Sequence, residues 1–309
     1  MIRILANDGI EKGAAEDLEA KGYEIIKKHF DPEQLKKEIQ NIDCLVVRSA
    51  TKVRKDLINA AGNGRLKLVI RGGVGIDNID ATYAAEKGIQ VNNTPNASSI
   101  SVAEITFGHM IAAARNIAIA NVTMRQGKWE KKNYQGTELY GKTLGLIGFG
   151  RIAREVAKRA IAFGMKVVYY DICDINKVAT CKCLTKEEVI KQADFISLHI
   201  PYTKGEPYVI GEKEFSIMKE GAYVINCARG GVVDEKALVA ALNSGKLAGA
   251  ALDVFENEPL ANQDIVNNDK ISLTPHIGAA TAEAQERIGE EIVEIVEEYF
   301  KEEEAVGRC

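Results

Sequence analysis

One segment constrains the fold more than any other: an apolar run at 144–147 leads directly into a glycine-rich turn. The turn reads Gly148-x-Gly150-x-x-Ala153, a helical stretch follows, and a second apolar run ends at Asp171. Small residues permit a tight turn, and the N–H groups that begin a helix can bind a pyrophosphate. An acid about 20 residues after the second glycine can accept hydrogen bonds from a ribose. The segment predicts a βαβ unit that binds a dinucleotide; the alternative is a tight strand–helix turn that binds nothing.

The charge of Asp171 also indicates which dinucleotide such a unit binds. A carboxylate at this position repels the 2′-phosphate that distinguishes NADP from NAD. No arginine follows Asp171 directly to balance that repulsion. We therefore predict that the cofactor is NAD.

Short apolar runs alternate with stretches of helical periodicity along the whole chain. The runs lie at 2–5, 44–47, 66–70, 143–147, 166–170, 195–200, 222–227, 249–254 and 271–273. Such runs are typical of strands buried on both faces, and their alternation with helices predicts parallel α/β sheets. A chain of 309 residues is long enough for two domains. Pro95 suggests a boundary between 94 and 95, and we expect Ser99 or Ser101 to cap the next helix.

Composition and charge exclude several classes of protein. The formal net charge is −4 and no basic block occurs, which argues against a sequence-independent nucleic-acid binder. No apolar run approaches the ~20 residues that span a bilayer, and no signal peptide is recognisable, so we expect a cytoplasmic protein without membrane contact. Cys181 and Cys183 are too close together for a zinc knuckle, so no metal is predicted, and Cys309 is expected to be exposed.

Three polar side chains follow three successive apolar runs: Arg229, Glu258 and His276. Ligands of open α/β sheets bind beyond the carboxyl ends of the strands, so we expect these side chains to lie there. A histidine beside an acid suits proton transfer near neutral pH. Taken alone, His276 could equally be an ordinary loop histidine. His109, within a predicted helix, is interpreted as a packed core residue, and His199 could line the cofactor cleft.

Motifs along nearly the whole chain resemble those of the D-isomer-specific 2-hydroxyacid dehydrogenases. They are Arg48-Ser49-Ala50-Thr51-Lys52-Val53, the glycine-rich segment 72–80, Asn93-Thr94-Pro95-Asn96 and the segments around the three polar side chains. The stretches Gly127-Lys128-Trp129-Glu130 and Gly136-Thr137-Glu138-Leu139 most resemble the members that oxidise 3-phosphoglycerate. Ala153 stands where many members have a third glycine, which is a mild departure.

The resemblance implies a fold and a reaction. The fold consists of two doubly wound parallel-sheet α/β domains, with a Rossmann NAD-binding domain at 95–282 inserted into a flavodoxin-like substrate-binding domain at 1–94 and 283–309. The reaction is NAD-dependent oxidation of 3-phosphoglycerate to 3-phosphohydroxypyruvate. In it His276 would take the hydroxyl proton at C2, Glu258 would orient the imidazole, and Arg229 would bind the carboxylate.

The resemblance also implies which residues contact each ligand. The predicted cofactor contacts are Val74, Gly148, Gly150, Arg151, Ile152, Asp171, Ile200, Cys227, Ala228, Arg229, Asp253, His276, Ile277, Gly278 and Ala279. The predicted substrate contacts are Arg48, Ser49, Lys52, Gly73, Val74, Gly75, Arg229 and His276, with Arg48 and Lys52 as candidates for the phosphate.

Two other functions would use the same residues. A glyoxylate or hydroxypyruvate reductase would act on a substrate without a phosphate, so the basic residues discriminate between the two enzymes. A redox-sensing NAD-binding protein would be expected to lack part of the triad. Family members are usually dimers or larger, with the helix after Pro95 and the segment around Trp129 in the interface, so we expect a homodimer or higher homo-oligomer. Because the chain ends at Cys309, control by a C-terminal serine-binding domain is not expected.

Overall fold

The computed structural model describes residues 1–62, 64–172, 178, 180–203 and 205–306, the side chains of 302–306 excepted. The chain divides into two compact units, Met1–Ser98 with Ala279–Cys309, and Ser99–Gly278. The predicted boundaries, at 94/95 and 282/283, each lie a few residues from these. The expected exposure of Cys309 concerns a residue outside the described part of the chain.

The first unit is built on a five-stranded parallel sheet of order β2-β1-β3-β4-β5, the order of a flavodoxin-like fold. Its strands are β1 (Arg3–Ala6), β2 (Glu24–Ile26), β3 (Cys44–Val47), β4 (Leu68–Arg71) and β5 (Gln90–Asn93). Its helices are α1 (Lys12–Ala20), α2 (Pro32–Glu38), α3 (Lys55–Ala61), α4 (Ala81–Glu86) and the C-terminal helix (Ala282–Val306), with one 3-10 turn at Ile39–Asn41.

Both faces of this sheet are covered. Alternate residues of the central strands enter two separate hydrophobic clusters: Leu45 lies in one, and Val46 lies in the other with Ile292 and Val296 of the C-terminal helix. Burial on both faces is the reason that these strands read as uninterrupted apolar runs.

The second unit is built on a seven-stranded parallel sheet of order β12-β11-β10-β9-β6-β7-β8. Its strands are β6 (Thr143–Ile147), β7 (Lys166–Tyr170), β8 (Cys181–Cys183), β9 (Phe195–Leu198), β10 (Ala222–Asn226), β11 (Leu247–Leu252) and β12 (Ile271–Leu273). Its helices are α5 (Ser99–Ala114), α6 (Ile117–Arg125), α7 (Arg151–Ala162), α8 (Lys186–Gln192), α9 (Glu212–Ile217), α10 (Glu235–Asn243) and α11 (Gln263–Val266), with a 3-10 turn at Lys131–Asn133. The strand order is that of a Rossmann fold, so the predicted fold class is confirmed.

The expected serine cap of α5 is wrong. The helix already includes Ser99 and Ser101, since it begins at Ser99, and the Ser99 hydroxyl has no hydrogen-bond partner among the described residues. α5 packs against α7 and against β10, β11 and β12 of the sheet. In the described part of the chain, no helix has both the length and the apolar character needed to cross a membrane.

Candidate active site

The strand order of the seven-stranded sheet reverses between β6 and β9, and ligands of open α/β sheets bind at such a point. Gly148 follows β6 there in a left-handed conformation, with φ +84°. A Cβ at this position would lie 2.4 Å from the carbonyl oxygen of His199 and 2.7 Å from Cγ2 of Ile200. Residue 148 must therefore be glycine for the turn to pass so close to the end of β9.

The glycine turn leads directly into α7, whose first residue is Arg151. Among the described residues, no side chain caps this helix, and no atom lies within 4 Å of a Cβ built on Gly150. Ala153 is fully buried, so a small residue is needed on the other side of the helix. Uncapped N–H groups beside open space fit the pyrophosphate of a dinucleotide, because the helix N-terminus carries partial positive charge.

Asp171 lies at the end of β7, next to this turn. Its Oδ2 accepts a hydrogen bond of 2.7 Å from the N–H of Phe149. The hydrogen bond fixes the carboxylate beside the helix N-terminus, where it is predicted to contact the ribose.

Glu258 and His276 are brought together as predicted. Nδ1 of His276 lies 2.8 Å from Oε2 of Glu258, and the two side chains are 40% and 38% exposed. Nε2 of His276 makes no hydrogen bond to any described residue. A carboxylate only accepts, so the neutral ring carries its hydrogen on Nδ1 and presents a basic Nε2.

The charge state of Glu258 suits this arrangement. Partial burial works to raise its pKa, but several neighbours outweigh burial: the hydrogen bond and charge of His276, the N–H of Phe255 and the charge of Arg229. The net result is a pKa below the ordinary value for glutamate. Glu258 therefore stays ionised at neutral pH and can stabilise a protonated His276.

Arg229 lies on a loop that is fixed through Asn226 at the end of β10. The Asn226 side chain donates to the carbonyl oxygen of Arg229 at 2.8 Å and accepts from the N–H of Ala228 at 3.1 Å. Nη1 of Arg229 donates to the carbonyl oxygen of Ala228 at 2.6 Å. A Cβ on Gly230 would lie 1.8 Å from the carbonyl oxygen of Phe255, so this loop packs directly against the loop that carries Glu258.

A further pair of carboxylates, which sequence reasoning missed, holds the Glu258 loop. Oε1 of Glu235, at the start of α10, accepts from the N–H of Glu256 at 2.7 Å, and Oε1 of Glu256 accepts from the N–H of Glu235 at 3.2 Å. The sequence shows that Glu235 and Glu256 are acids but not that they pair, because their contact depends on the fold.

His276 itself lies in a turn shaped by Asp253, which is 1% exposed. The Asp253 carboxylate accepts from the N–H groups of Ile277 and Gly278, each at 2.9 Å, and from the hydroxyl of Thr274 at 2.5 Å. His276 has a left-handed backbone, with φ +52°. That Asp253 also contacts the cofactor stays a prediction; its observed partners belong to the turn.

The other predicted cofactor residues are distributed as follows. Ile200 is half-buried beside Gly148, and Cys227 is buried so that its thiol pKa rises to about 12, which leaves the thiol protonated and unreactive. Val74 and Ala279 belong to the first unit. Burial lowers the pKa of His199 to about 3, so this histidine stays neutral. Among the described residues, no three side chains of His, Cys, Asp or Glu are grouped so as to hold a metal ion.

In the first unit, the predicted phosphate-binding loop has a firmly held backbone. Oδ2 of Asp8 accepts from the N–H groups of Arg48 and Thr51, at 2.8 and 2.9 Å. Nδ2 of Asn78 donates to the carbonyl oxygens of the same two residues, both at 2.7 Å. Neither anchor was predicted, since 40 and 30 residues separate them from Arg48 in the sequence.

The side chains of this loop are available to a ligand. Arg48 is half-buried and its guanidinium has no ion pair or hydrogen bond with a described residue, while Ser49 and Lys52 are exposed. Nζ of Lys52 donates to the carbonyl oxygen of Ser49 at 2.9 Å, which holds the ammonium group over the loop.

The predicted carboxylate-binding segment follows β4. Gly73 has φ +139°, a backbone conformation that residues with a side chain rarely adopt, and a Cβ there would lie 1.5 Å from Nη1 of Arg71. The side chain of Asn93 donates to the carbonyl oxygen of Val74. No described residue accepts a hydrogen bond from the N–H groups of Gly73, Val74 or Gly75. Arg71 is a neighbour that sequence reasoning missed, because its strand read only as apolar.

The chain is similar to a known family of proteins. A profile of the D-isomer specific 2-hydroxyacid dehydrogenase NAD-binding domain matches residues 107–278, more than half of the chain.

Relatives match over nearly the whole chain. A hydroxypyruvate reductase of Thermotoga maritima is 48% identical over 304 residues, which cover 97% of this chain and 98% of that protein. A D-3-phosphoglycerate dehydrogenase of Methanocaldococcus jannaschii is 46% identical over 97% of this chain, which spans only 58% of that protein's length. The crystal structure of a D-lactate dehydrogenase from Aquifex aeolicus with NAD and lactic acid has a TM-score of 0.82 and 32% identity, covering 97% of this chain and 95% of that one.

Proposed function

The chain belongs to the D-isomer-specific 2-hydroxyacid dehydrogenases and has their NAD-binding domain, and we propose that its reaction is oxidation of D-3-phosphoglycerate to 3-phosphohydroxypyruvate. The observation that carries the choice of substrate is the loop 48–52, whose hydrogen-bonded backbone presents an ammonium group and a guanidinium that has no partner among the described residues. The phosphoglycerate dehydrogenase among the relatives adds support.

His276 is the proposed general base. NAD accepts a hydride when it is bound. Nε2 of His276, which has no protein partner among the described residues, takes the proton of the C2 hydroxyl as the carbonyl forms. Glu258 holds the opposite nitrogen at 2.8 Å and stabilises the resulting imidazolium.

Arg229 of the second unit is the proposed anchor for the carboxylate of the 2-hydroxy acid. A guanidinium donates two parallel hydrogen bonds to a carboxylate and can also polarise the oxygen on C2. In the first unit, the segment 73–75 supplies consecutive N–H groups that have no acceptor among the described residues, and such groups form a concave donor set for an anion.

Arg48 tests the choice of substrate. Charge-assisted hydrogen bonds contribute roughly 1.5–3 kcal/mol each, and about 1.4 kcal/mol corresponds to tenfold in kcat/KM. Arg48→Gln should therefore lower kcat/KM for 3-phosphohydroxypyruvate about tenfold to a hundredfold, while kcat/KM for hydroxypyruvate stays near the wild-type value. The measurement is NADH consumption with each keto acid.

Arg54→Gln is the matched control for that variant. Arg54 is an exposed arginine of the same unit that pairs with Asp80 at 2.8 Å. Loss of the Arg54 guanidinium should leave the ratio of the two kcat/KM values unchanged, since that group is already paired with Asp80 and is not a predicted substrate contact. Equal losses on both keto acids in Arg48→Gln would contradict a phosphate-binding role.

Hydroxypyruvate reduction is the second candidate function. The Thermotoga relative with that name matches almost end to end at 48% identity. The same His276, Glu258 and Arg229 would serve, because both keto acids share the reacting carbonyl and carboxylate. A wild-type enzyme that prefers hydroxypyruvate to its phosphorylated form would establish this second function.

Asp171 should set the preference for NAD over NADP. Asp171→Asn keeps an oxygen for the N–H of Phe149 but removes the charge that would repel a 2′-phosphate. Weaker ribose binding should lower kcat/KM for NAD about tenfold, and that for NADP should rise. A wild-type enzyme that turns over NADP better than NAD would disprove the assignment.

Assembly into a homodimer is also proposed. Large apolar side chains are exposed within one short stretch of the second unit: Ile117 (50%), Val122 (49%), Met124 (53%) and Trp129 (79%). An apolar concentration of this kind marks an interaction site, and tryptophan is enriched in interfaces.

Sedimentation velocity at micromolar concentration should give a dimer or larger species. Trp129→Ser should shift the distribution of species towards the monomer, and a monomeric wild type would refute the proposal.

A further inference from the structure

His109 lies in the middle of α5, and both of its ring nitrogens have partners on another element. Nδ1 lies 3.1 Å from the hydroxyl of Ser272, and Nε2 lies 2.8 Å from the hydroxyl of Thr274. The residue is 4% exposed. Ser272 belongs to β12, and Thr274 begins the turn that carries His276.

The hydrogen positions in this cluster follow from counting donors. The Thr274 hydroxyl has one hydrogen, and it donates this to Oδ1 of Asp253. Thr274 can therefore only accept from His109, which places the ring hydrogen on Nε2. Burial lowers the pKa of His109, although the charge of Asp253 acts in the opposite direction, so the ring is neutral. Nδ1 must then accept from the hydroxyl of Ser272.

We propose that His109 is a positioning residue for the reaction: its Nε2–H orients the Thr274 hydroxyl towards Asp253, and Asp253 holds the turn that places His276. The inference rests on the proposed role of His276 but not on which 2-hydroxy acid is the substrate.

The chain of contacts is continuous from α5 to the base. Asp253 accepts from Thr274 on one side of His276 and from Ile277 and Gly278 on the other. The three hydrogen bonds close a short loop of backbone in which His276 is left-handed. If His109 no longer orients Thr274, the hydroxyl can turn away from Asp253, and one end of that loop is released.

Two substitutions of similar size distinguish the roles of the two ring nitrogens of His109. In a helix the side-chain amide of Asn reaches about as far as Nδ1 of histidine, and that of Gln reaches about as far as Nε2. His109→Asn keeps a partner for Ser272 and loses the bond to Thr274, whereas His109→Gln keeps the donor to Thr274. Thr274→Val removes the same link from the other side, and Ser272→Ala removes only the Nδ1 partner.

We expect kcat to fall about tenfold to a hundredfold in His109→Asn and in Thr274→Val, because small displacements of a catalytic group have effects of this size. KM for NAD should change little, and His109→Gln and Ser272→Ala should retain most of the wild-type kcat. The double variant His109→Asn/Thr274→Val should be no slower than Thr274→Val alone. The assay uses whichever of 3-phosphohydroxypyruvate, hydroxypyruvate or glyoxylate the wild type reduces.

A second measurement needs no turnover. In ¹H–¹⁵N spectra of the imidazole nitrogens, His109 should show the Nε2–H tautomer. The signals of His276 should shift in His109→Asn and Thr274→Val but not in Ser272→Ala. An Nδ1–H tautomer, an unmoved His276, or equal losses of kcat in His109→Asn and Ser272→Ala would each overturn the inference. A substrate preference other than 3-phosphoglycerate would change the proposed function and leave these comparisons intact.

Discussion

Replacing His276 with asparagine should lower kcat about 10²–10⁴-fold while KM for NAD stays near its wild-type value. A proton-transfer group contributes a factor of this size, and the asparagine amide is not basic. Asparagine is the appropriate substitute because residue 276 has φ +52°, a conformation that asparagine adopts more readily than most residues. The measurement is steady-state NADH formation over a range of pH with a saturating 2-hydroxy acid.

His199→Asn is the control that shows whether replacing any histidine near the strand ends lowers kcat. His199 hydrogen-bonds through Nε2 to the Ser197 hydroxyl at 2.9 Å and stays neutral, so it has no role in proton transfer in this account. His199→Asn should reduce kcat far less than His276→Asn. A folded His276→Asn enzyme with near-normal kcat would remove His276 from its proposed role.

The second large effect is expected at Arg229. Arg229→Gln removes a guanidinium that can form two charge-assisted hydrogen bonds with the substrate carboxylate. At roughly 1.5–3 kcal/mol each, their loss corresponds to about 10²–10⁴-fold in kcat/KM for the 2-hydroxy acid. Arg229→Lys keeps the charge but not the planar pair of donors. Its kcat/KM for the 2-hydroxy acid should therefore lie between the values of Arg229→Gln and the wild type.

The role of Arg229 is decided by comparing how its replacement affects the 2-hydroxy acid and how it affects NAD. kcat/KM should fall steeply for the acid, whereas KM for NAD should rise only modestly, because the backbone of the Arg229 loop is held by Asn226. The thermal unfolding temperature of Arg229→Gln shows whether the loop that carries residue 229 still packs as in the wild type. A greater loss of NAD affinity than of acid affinity would place Arg229 on the cofactor instead.

Much of the fold could be predicted because the central strands are buried on both faces. The apolar runs at β3, β6, β7 and β12 coincide with the observed strands. The strands without a predicted run are β2, β5 and β8, and each lies at the edge of its sheet. An edge strand needs fewer apolar residues, as the sequence Gln90-Val91-Asn92-Asn93 of β5 illustrates.

The candidate site was predictable only in part. The carboxyl ends of β10, β11 and β12 are adjacent, so residues that follow them in the sequence meet in space, and Glu258 reaches His276. The left-handed backbone of His276, the pairing of Glu235 with Glu256 and the link from His109 to Thr274 all arise from tertiary contacts between distant segments. No local pattern in the sequence signals them.

The preference for a phosphorylated substrate is tested by the rate of NADH formation by the wild-type enzyme with NAD and D-3-phosphoglycerate, compared with D-glycerate. The two acids share the reacting C2 centre and carboxylate and differ only in the phosphate. We expect kcat/KM to be about tenfold higher or more for D-3-phosphoglycerate, the effect of one charge-assisted contact. A kcat/KM that is equal for the two acids, or higher for D-glycerate, would contradict it.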